Sequence, residues 1–168
     1  MRNIMINIYY FIMIFIILQR FAELLYSNYN TKKLLKNGAK EYNSKHYPLF
    51  IILHTCWIVS LVLFIDHNDK PKTSLIVLFF ILQFLRLWVL LTLGKYWTTR
   101  IIYLEGTKLV KKGPYKWLKH PNYIIVFFEI LILPLAFNSW IIAIIFTIFN
   151  TILLLYRISL ENKVLKYS

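Results

Sequence analysis

The string GPYKWLKHPNY at 113–123 holds the residues whose types and spacing best suit the binding of a small ligand. Its prolines fix turns, because proline holds its own φ and moves the preceding residue out of the helical region. Since Pro121 and Asn122 are good first-turn residues, the string predicts His120 at the N-terminus of a helix. Free backbone N–H groups and the helix dipole favour an anionic group there, such as a carboxylate. The alternative is an interfacial turn anchored by three aromatic residues, Tyr115, Trp117 and Tyr123.

Other polar side chains lie inside apolar runs, where exposure to lipid would be costly. Arg20 and Glu23 are three residues apart, so they can pair on one helical face. Such a pair either fixes a helix end at the membrane interface or contributes to an active cavity. Gln83 and Arg86 have the same spacing and lie deep in their run, so they should face protein or a polar cavity.

The cysteine and histidine residues do not form a metal-binding pattern. Cys56 is a single cysteine inside an apolar run, so an internal disulfide is impossible. The four histidines lack zinc spacing, and we predict no metal. His46 stands at the mouth of the second apolar run and His54 two turns deeper, and for His54 both a structural and a catalytic role are open.

Composition favours a membrane protein. Hydrophobic residues make up 59% of the chain and the mean hydropathy is +0.59, whereas soluble domains contain roughly 45–50% apolar residues. The net charge of +13 comes from cations clustered between the apolar runs, as in the inner loops of multi-span proteins. The pattern favours basic loops beside anionic membrane lipid over nucleic-acid binding.

The apolar runs predict an all-α bundle that forms a single domain over 1–168, with spans at about 4–26, 47–65, 73–93, 122–135 and 138–157. About 20 apolar residues cross a hydrocarbon core of about 30 Å. The N-terminal run has no small-residue cleavage site after it and is interpreted as a retained span. The fourth run is short, so the last two should form a tight helical hairpin with one tilted or incomplete arm.

The distribution of basic residues predicts the orientation of the bundle. Fifteen Lys and Arg residues lie in three segments, the loop at 27–46, the segment 94–121 and the tail 157–168, against three on the other side. The N-terminus is therefore predicted outside and the C-terminus in the cytoplasm. The segment 94–121 and the tail then meet on the face where water-soluble cofactors are found.

GPYKWLKHPNY resembles the GPY…RHPxY signature of the isoprenylcysteine carboxyl methyltransferase family, integral membrane enzymes that use S-adenosylmethionine. The tail is similar to the family's closing Arg-xxx-Glu-Glu-xx-Leu pattern, matched by Arg157, Glu161, Asn162 and Leu165. QRFAEL at 19–24 and GAKEYNSKHYPLFIILH at 38–54 look like forms found in the small bacterial branch. The likeness runs nearly end to end and implies a multi-pass protein of the cell membrane, with the bacterial inner membrane as the expected location.

The resemblance also implies a set of site residues. The cofactor would be held by Lys119, His120, Pro121, Tyr123 and Tyr115. Arg157 and Glu161 would close the site from the end of the last helix, where Glu161 would bind the cofactor's amino group or orient the acceptor. Three positions depart from the pattern: Lys119 stands for an Arg, Ile125 for a Gly found in many members, and Asn162 for the second Glu.

Methyl transfer to a carboxylate needs little acid–base help, because the carboxylate is already ionised at neutral pH and catalysis is mostly orientation and removal of water. A phenolic or enolic hydroxyl would need a base, for which His120, His54 and Glu129 are candidates. The resemblance implies a lipophilic acceptor that enters from the bilayer, either a prenylcysteine-type carboxylate or a long-chain phenolic or pyrone hydroxyl.

Two other functions are weighed against this one. NADPH-dependent membrane sterol-type reductases also carry an HPNY string, usually followed by Gly-Glu, whereas Ile124 and Ile125 follow here. A small non-enzymatic membrane scaffold would use the same polar groups only for helix packing. The chain has no Gly-rich Rossmann fingerprint, so a soluble-type nucleotide fold is not supported.

Overall fold

The computed structural model describes residues 2–44, 47–65, 70–107 and 109–166, with side chains for 8–44, 47–65, 70–107 and 109–164. His46 and the side chain of Leu165 fall outside these ranges. The helices are α1 (Arg2–Lys36), α2 (Tyr47–Phe64), α3 (Thr73–Leu93), α4 (Pro121–Ala136) and α5 (Trp140–Lys166). Two strands, β1 (Lys40–Tyr42) and β2 (Ile101–Tyr103), and 3-10 turns at Gly94–Tyr96 and Gly113–Lys116 complete the described elements.

The prediction of a polytopic all-α bundle is confirmed. Four of the described helices, α1, α2, α3 and α5, are long and apolar enough to cross a membrane. Helix α4 has 16 residues and a length of roughly 24 Å. It packs against α3 and against α5, and its buried face includes Ile130 and Leu133. The helical hairpin predicted for the last two runs is therefore present, with α4 as its short arm.

Helix α1 continues ten residues beyond the predicted end of the first span, so the expected loop at 27–46 is largely helical. The lysines of this segment indicated contact with water, but no glycine or proline interrupts the helix before Gly38. Two polar side chains of the extension are buried against the segment 94–121. Ser27 Oγ lies 2.7 Å from Thr99 Oγ1, and Asn30 Nδ2 donates to the carbonyl oxygen of Trp97 at 2.9 Å. Helix α5 likewise extends nine residues past its predicted end.

The strands β1 and β2 were not predicted. They pair antiparallel, with Lys40 opposite Tyr103, and an ion pair of 3.0 Å joins Arg100 Nη1 to Glu41 Oε1. This small sheet ties the segment 94–121 to the end of α1. We call this end of the bundle the basic end.

At the opposite end of the bundle, the α4–α5 connection lies against the α2–α3 connection. The backbone N–H of Lys72 donates to the carbonyl oxygen of Ala136 at 2.8 Å, and Asn138 Nδ2 donates to that of Lys70 at 3.3 Å. Since the two connections lie together, the helices alternate in direction as the predicted topology requires.

Gly113 begins the 3-10 turn of the segment 94–121 with a positive φ of 52°. A Cβ at this position would lie 2.7 Å from Thr92 Oγ1, whose hydroxyl is held by a 2.8 Å hydrogen bond to the carbonyl oxygen of Trp88. We expect Gly113→Ala to lower the free energy of unfolding by about 1–3 kcal/mol, through left-handed strain and overpacking. Thermal unfolding in detergent measures the effect.

Gly106→Ala is the matched control for this prediction. Gly106 also has a positive φ, of 75°, but a Cβ there would meet nothing within 4 Å. It should cost only the backbone strain and therefore less than Gly113→Ala. Equal losses for the two variants would show that the close approach to Thr92 has no energetic effect.

Candidate functional site

Glu161 is the centre of a polar group at the basic end. Its Oε1 accepts hydrogen bonds from the Tyr123 hydroxyl and from Arg157 Nε, the second at 3.1 Å. Arg157 Nε also donates to the Tyr123 hydroxyl at 2.7 Å, and His120 Nδ1 lies 3.3 Å from Glu161 Oε2. We call His120, Tyr123, Arg157 and Glu161 the site tetrad. All four were predicted as site residues, and the structure brings them together.

Local helix geometry positions the tetrad. Pro121 is the first residue of α4 and His120 its N-cap, as predicted, with no side-chain capping hydrogen bond. Tyr123 follows in the first turn, and its ring stacks on the His120 imidazole with centroids 5.2 Å apart. Arg157 and Glu161 are four residues apart on α5, which is the spacing that places two side chains on one face of a helix.

Burial controls protonation at this site. It lowers the pKa of His120 against the opposing effect of the Glu161 carboxylate, while the positive charges of Lys119 and Arg157 add to the lowering. Burial also raises the pKa of Tyr115, and the Glu161 carboxylate raises it further. At neutral pH His120 is therefore a neutral imidazole and Tyr115 keeps its phenolic proton.

Two buried acceptor atoms beside the tetrad have no hydrogen-bond partner within the described part of the chain, His120 Nε2 and Asn122 Oδ1. The carboxylate next to His120 Nδ1 favours the tautomer with the proton on that nitrogen, so Nε2 carries a lone pair. Both residues line the same cavity. An ammonium group is a donor that would satisfy such acceptors, and S-adenosylmethionine carries one.

The cavity has a volume of about 860 Å³, near the upper end of the roughly 300–1,000 Å³ found for small-molecule sites. One part of its wall is formed by the site tetrad and by Tyr115, Lys119 and Asn122. Another part is formed by polar side chains inside the bundle, Arg20, Glu23, His54 and Arg86. A single cavity therefore joins the basic end to the interior of the helix bundle.

The interior polar residues form a buried ion cluster, which we define as Arg20, Glu23, Gln83, Arg86 and Glu129. Arg86 binds Glu23 through two nitrogens, at 2.5 and 2.6 Å, and Glu129 through a third at 2.7 Å. Arg20 Nη2 is 2.7 Å from Glu129 Oε2, and Arg20 Nη1 is 3.3 Å from Glu23 Oε2. The predicted Arg20–Glu23 pair and the inward orientation of Gln83 and Arg86 are confirmed.

Glu129, a candidate base in the sequence analysis, belongs to this cluster. Its Oε1 accepts a hydrogen bond from Gln83 at 2.7 Å, and its Oε2 binds both arginines. The residue is fully buried and is not among the described residues that line the cavity. Glu129 thus contacts the site through the arginines of the cluster.

The structure shows what surrounds the three residues that depart from the family pattern. Lys119 Nζ donates to Asn162 Oδ1 at 2.5 Å. Two of the three departures therefore contact each other, with the Asn162 amide in place of a carboxylate beside the Lys119 ammonium group. Ile125 is buried in the hydrophobic core and is not among the described cavity-lining residues. The larger side chain at 125 therefore does not fill the cavity.

Sequence reasoning missed the contacts made by the backbone of the segment 94–121 and by α2. Arg157 Nη1 donates to the carbonyl oxygen of Thr99 at 2.7 Å, and the Arg157 guanidinium lies 5.5 Å from the centre of the Phe50 ring. A backbone carbonyl leaves no residue-type signal in a sequence. Phe50 could not be distinguished by sequence from the many other aromatic residues of the spans.

The part of the chain that forms the tetrad matches the profile of a known family. The profile of the isoprenylcysteine carboxyl methyltransferase family matches residues 75–167, which contain the tetrad, α4, α5 and most of α3. No solved structure is a significant match to the chain.

Two relatives, both of uncharacterised function, are also similar. The protein YpbQ of Bacillus subtilis (strain 168) is 40% identical over 155 residues, which cover 90% of this chain and 92% of YpbQ. A protein of Haemophilus influenzae (strain ATCC 51907 / DSM 11121 / KW20 / Rd) is 26% identical over 109 residues, which cover 62% and 63% of the two chains. The chain therefore belongs to the isoprenylcysteine carboxyl methyltransferase family, and this membership indicates a membrane methyltransferase.

Proposed function

We propose that the protein is an S-adenosylmethionine-dependent O-methyltransferase that acts on a lipophilic acceptor within the membrane. The observation that carries the proposal is the single cavity that joins the site tetrad to the interior of the bundle. A polar cofactor enters such a cavity from the basic end, and an apolar acceptor enters between the helices. We infer from the excess of basic residues that the basic end faces the cytoplasm.

The tetrad and its neighbours supply the groups that hold the cofactor. The Glu161 carboxylate, His120 Nε2 and Asn122 Oδ1 would accept hydrogen bonds from its ammonium group, and the N-terminus of α4 would favour its carboxylate. When bound, S-adenosylmethionine supplies a methyl group that is already activated on a positively charged sulfur. The protein's residues then have to orient the reactants and exclude water, which is where much of the acceleration of such a displacement originates.

Apolar side chains also line the cavity. Ile51, Ile58 and Leu154 contribute to its wall, so a hydrocarbon chain gains free energy by lying there. The exposed helix faces lie in lipid, and the basic end lies beside anionic headgroups. The partners of the protein are accordingly membrane lipid and a lipophilic acceptor.

Calorimetric binding of S-adenosylmethionine to the purified protein in detergent tests the proposal. His120→Ala should weaken binding by about 10- to 100-fold, the loss expected for a hydrogen bond to a charged group. The matched control is Lys112→Ala, which removes an exposed cation from the same segment and should leave binding unchanged. A wild-type protein that does not bind S-adenosylmethionine, or an unaffected His120→Ala variant, would refute the assignment. Tight binding of NADPH instead would favour a reductase.

A further inference from the structure

His54 lies on the cavity wall, and its hydrogen bonding determines which ring nitrogen carries the proton. His54 Nδ1 is 2.8 Å from the carbonyl oxygen of Phe50, one turn earlier in α2. Because a carbonyl oxygen can only accept, Nδ1 must be the donor. In the neutral ring Nε2 then carries a lone pair. No other hydrogen bond of His54 occurs within the described part of the chain, so this lone pair is available to a ligand in the cavity.

Charged side chains of the buried ion cluster lie near His54. Arg20 and Glu23 of α1 and Arg86 of α3 line the same cavity, and Glu129 of α4 binds both arginines. Each of the two carboxylates is already bound by arginines in the buried ion cluster. The cluster thus pairs its own charges and leaves the Nε2 lone pair of His54 to a ligand, and an imidazole nitrogen with such a lone pair can act as a base.

His54 is also close to the site tetrad. The Phe50 ring contacts the Arg157 guanidinium, and His54 follows Phe50 by four residues, a rise of about 6 Å along α2. Both residues line the same cavity as Tyr123 and Glu161. The His54 imidazole therefore lies about one helical turn deeper in the bundle than the tetrad, on the side where an acceptor from the bilayer would present its head group.

We propose that His54 is the catalytic base for the acceptor, and that the acceptor reacts through a weakly acidic hydroxyl, such as a phenol or an enol, rather than through a carboxylate. This inference rests on the proposed methyl transfer. A lone pair on Nε2 accepts a hydrogen bond from a hydroxyl, whereas it repels the oxygens of a carboxylate. His54 would therefore favour the binding of a hydroxyl acceptor and disfavour that of a carboxylate acceptor.

The proposed step is balanced without any further reactant. The acceptor O–H bond breaks and its proton passes to His54 Nε2, while the acceptor oxygen forms a bond to the methyl carbon. The bond from that carbon to sulfur breaks and its electron pair stays on sulfur, which becomes neutral. The proton then leaves the imidazole for water.

Two substitutions at His54 separate its functions. In His54→Gln the side chain keeps an amide at about the position of Nε2, so it can still accept a hydrogen bond but cannot take up a proton. In His54→Asn the amide can replace Nδ1 as the donor to the Phe50 carbonyl, but nothing replaces Nε2. The probes are a long-chain 4-alkylphenol and the 4-alkylbenzoate with the same chain. Binding is followed by tryptophan fluorescence without cofactor, and methyl transfer by product analysis with S-adenosylmethionine.

With the phenol, we expect His54→Gln to reduce methyl transfer by about 100-fold or more, the contribution typical of a general base, with binding within a few-fold of wild type. His54→Asn should also weaken phenol binding. With the benzoate, both variants should bind as well as wild type or better. Unchanged transfer to the phenol, or equal losses with both probes, would overturn the proposal.

The binding measurements separate this inference from the proposed function. If no variant or wild-type protein transfers methyl to either probe, the methyltransferase assignment fails. The phenol and benzoate affinities of His54→Asn still decide the role of Nε2. A loss confined to the phenol supports an acceptor atom that selects hydroxyls, and unchanged binding of both probes refutes it.

Discussion

Replacing Arg86 with methionine should destabilise the protein by about 3–5 kcal/mol, the cost expected when one partner of a buried ion pair is removed. Arg86 is 4% exposed and binds both Glu23 and Glu129. Its loss leaves two buried carboxylates with only Arg20 to compensate them. Unfolding in mixed micelles titrated with SDS, followed by tryptophan fluorescence, gives the change in free energy.

The double variant Arg86→Met, Glu23→Met is the control that identifies the cause. It removes one cation and one anion, and it leaves the 2.7 Å pair between Arg20 and Glu129 intact. Since a buried ion pair replaced by apolar residues is often neutral in stability, the double variant should recover most of the loss. A double variant less stable than Arg86→Met would contradict the view that uncompensated charge is responsible.

Glu161→Gln should reduce S-adenosylmethionine binding and methyl transfer by about 10-fold. Glutamine has nearly the same shape as glutamate but removes the negative charge that Arg157, Tyr123 and His120 surround. In the proposed site, a charge-assisted hydrogen bond to the cofactor's ammonium group is roughly twice as strong as the neutral bond that glutamine can still make. The difference of about 1–1.5 kcal/mol corresponds to a change of about 10-fold. Calorimetry and product analysis measure the two changes.

Glu161→Gln should also shift the pKa values of two neighbouring residues in a definite direction. The Glu161 carboxylate raises the pKa of His120 and the pKa of Tyr115, so Glu161→Gln should lower both. NMR titration of labelled histidine reads the first change. Glu105→Gln is the control, because Glu105 is an exposed acid of the segment 94–121, which also contains His120, and its replacement should alter neither binding nor the His120 titration. An upward shift of the His120 pKa in Glu161→Gln would contradict the arrangement of the tetrad.

The ends of a helix could be predicted where a proline or glycine stands at each end of an apolar run. They were predicted less well elsewhere. The bounds of α3 agree with the prediction, since Pro71 and Gly94 mark its two ends. The predicted end of α1 was wrong, because a high lysine content indicates contact with water and does not mark the end of a helix. The anchors of the extension, Ser27 and Asn30, bind atoms of the segment 94–121 that only tertiary packing brings near.

The site was predictable to the extent that its residues stand in sequence motifs. His120 at a helix N-terminus follows from the proline after it, and the Arg157–Glu161 pair follows from helical spacing. That Glu129 would meet both Arg20 and Arg86 could not be derived, because it depends on how α1, α3 and α4 pack. The hydrogen-bonding state of His54 was also inaccessible, since it depends on a backbone carbonyl.

The short length of α4 has a consequence for where the reaction takes place. A helix of roughly 24 Å is about 6 Å shorter than a typical hydrocarbon core. Its far end is held level with the α2–α3 connection by the hydrogen bond from Lys72 to Ala136. If the α2–α3 connection lies at one membrane surface, we expect the deficit to fall at the His120 end, so that the tetrad is recessed below the other surface. In the proposed reaction, the acceptor would then be methylated with its chain still dissolved in lipid, and no free energy would be spent on extracting it from the bilayer.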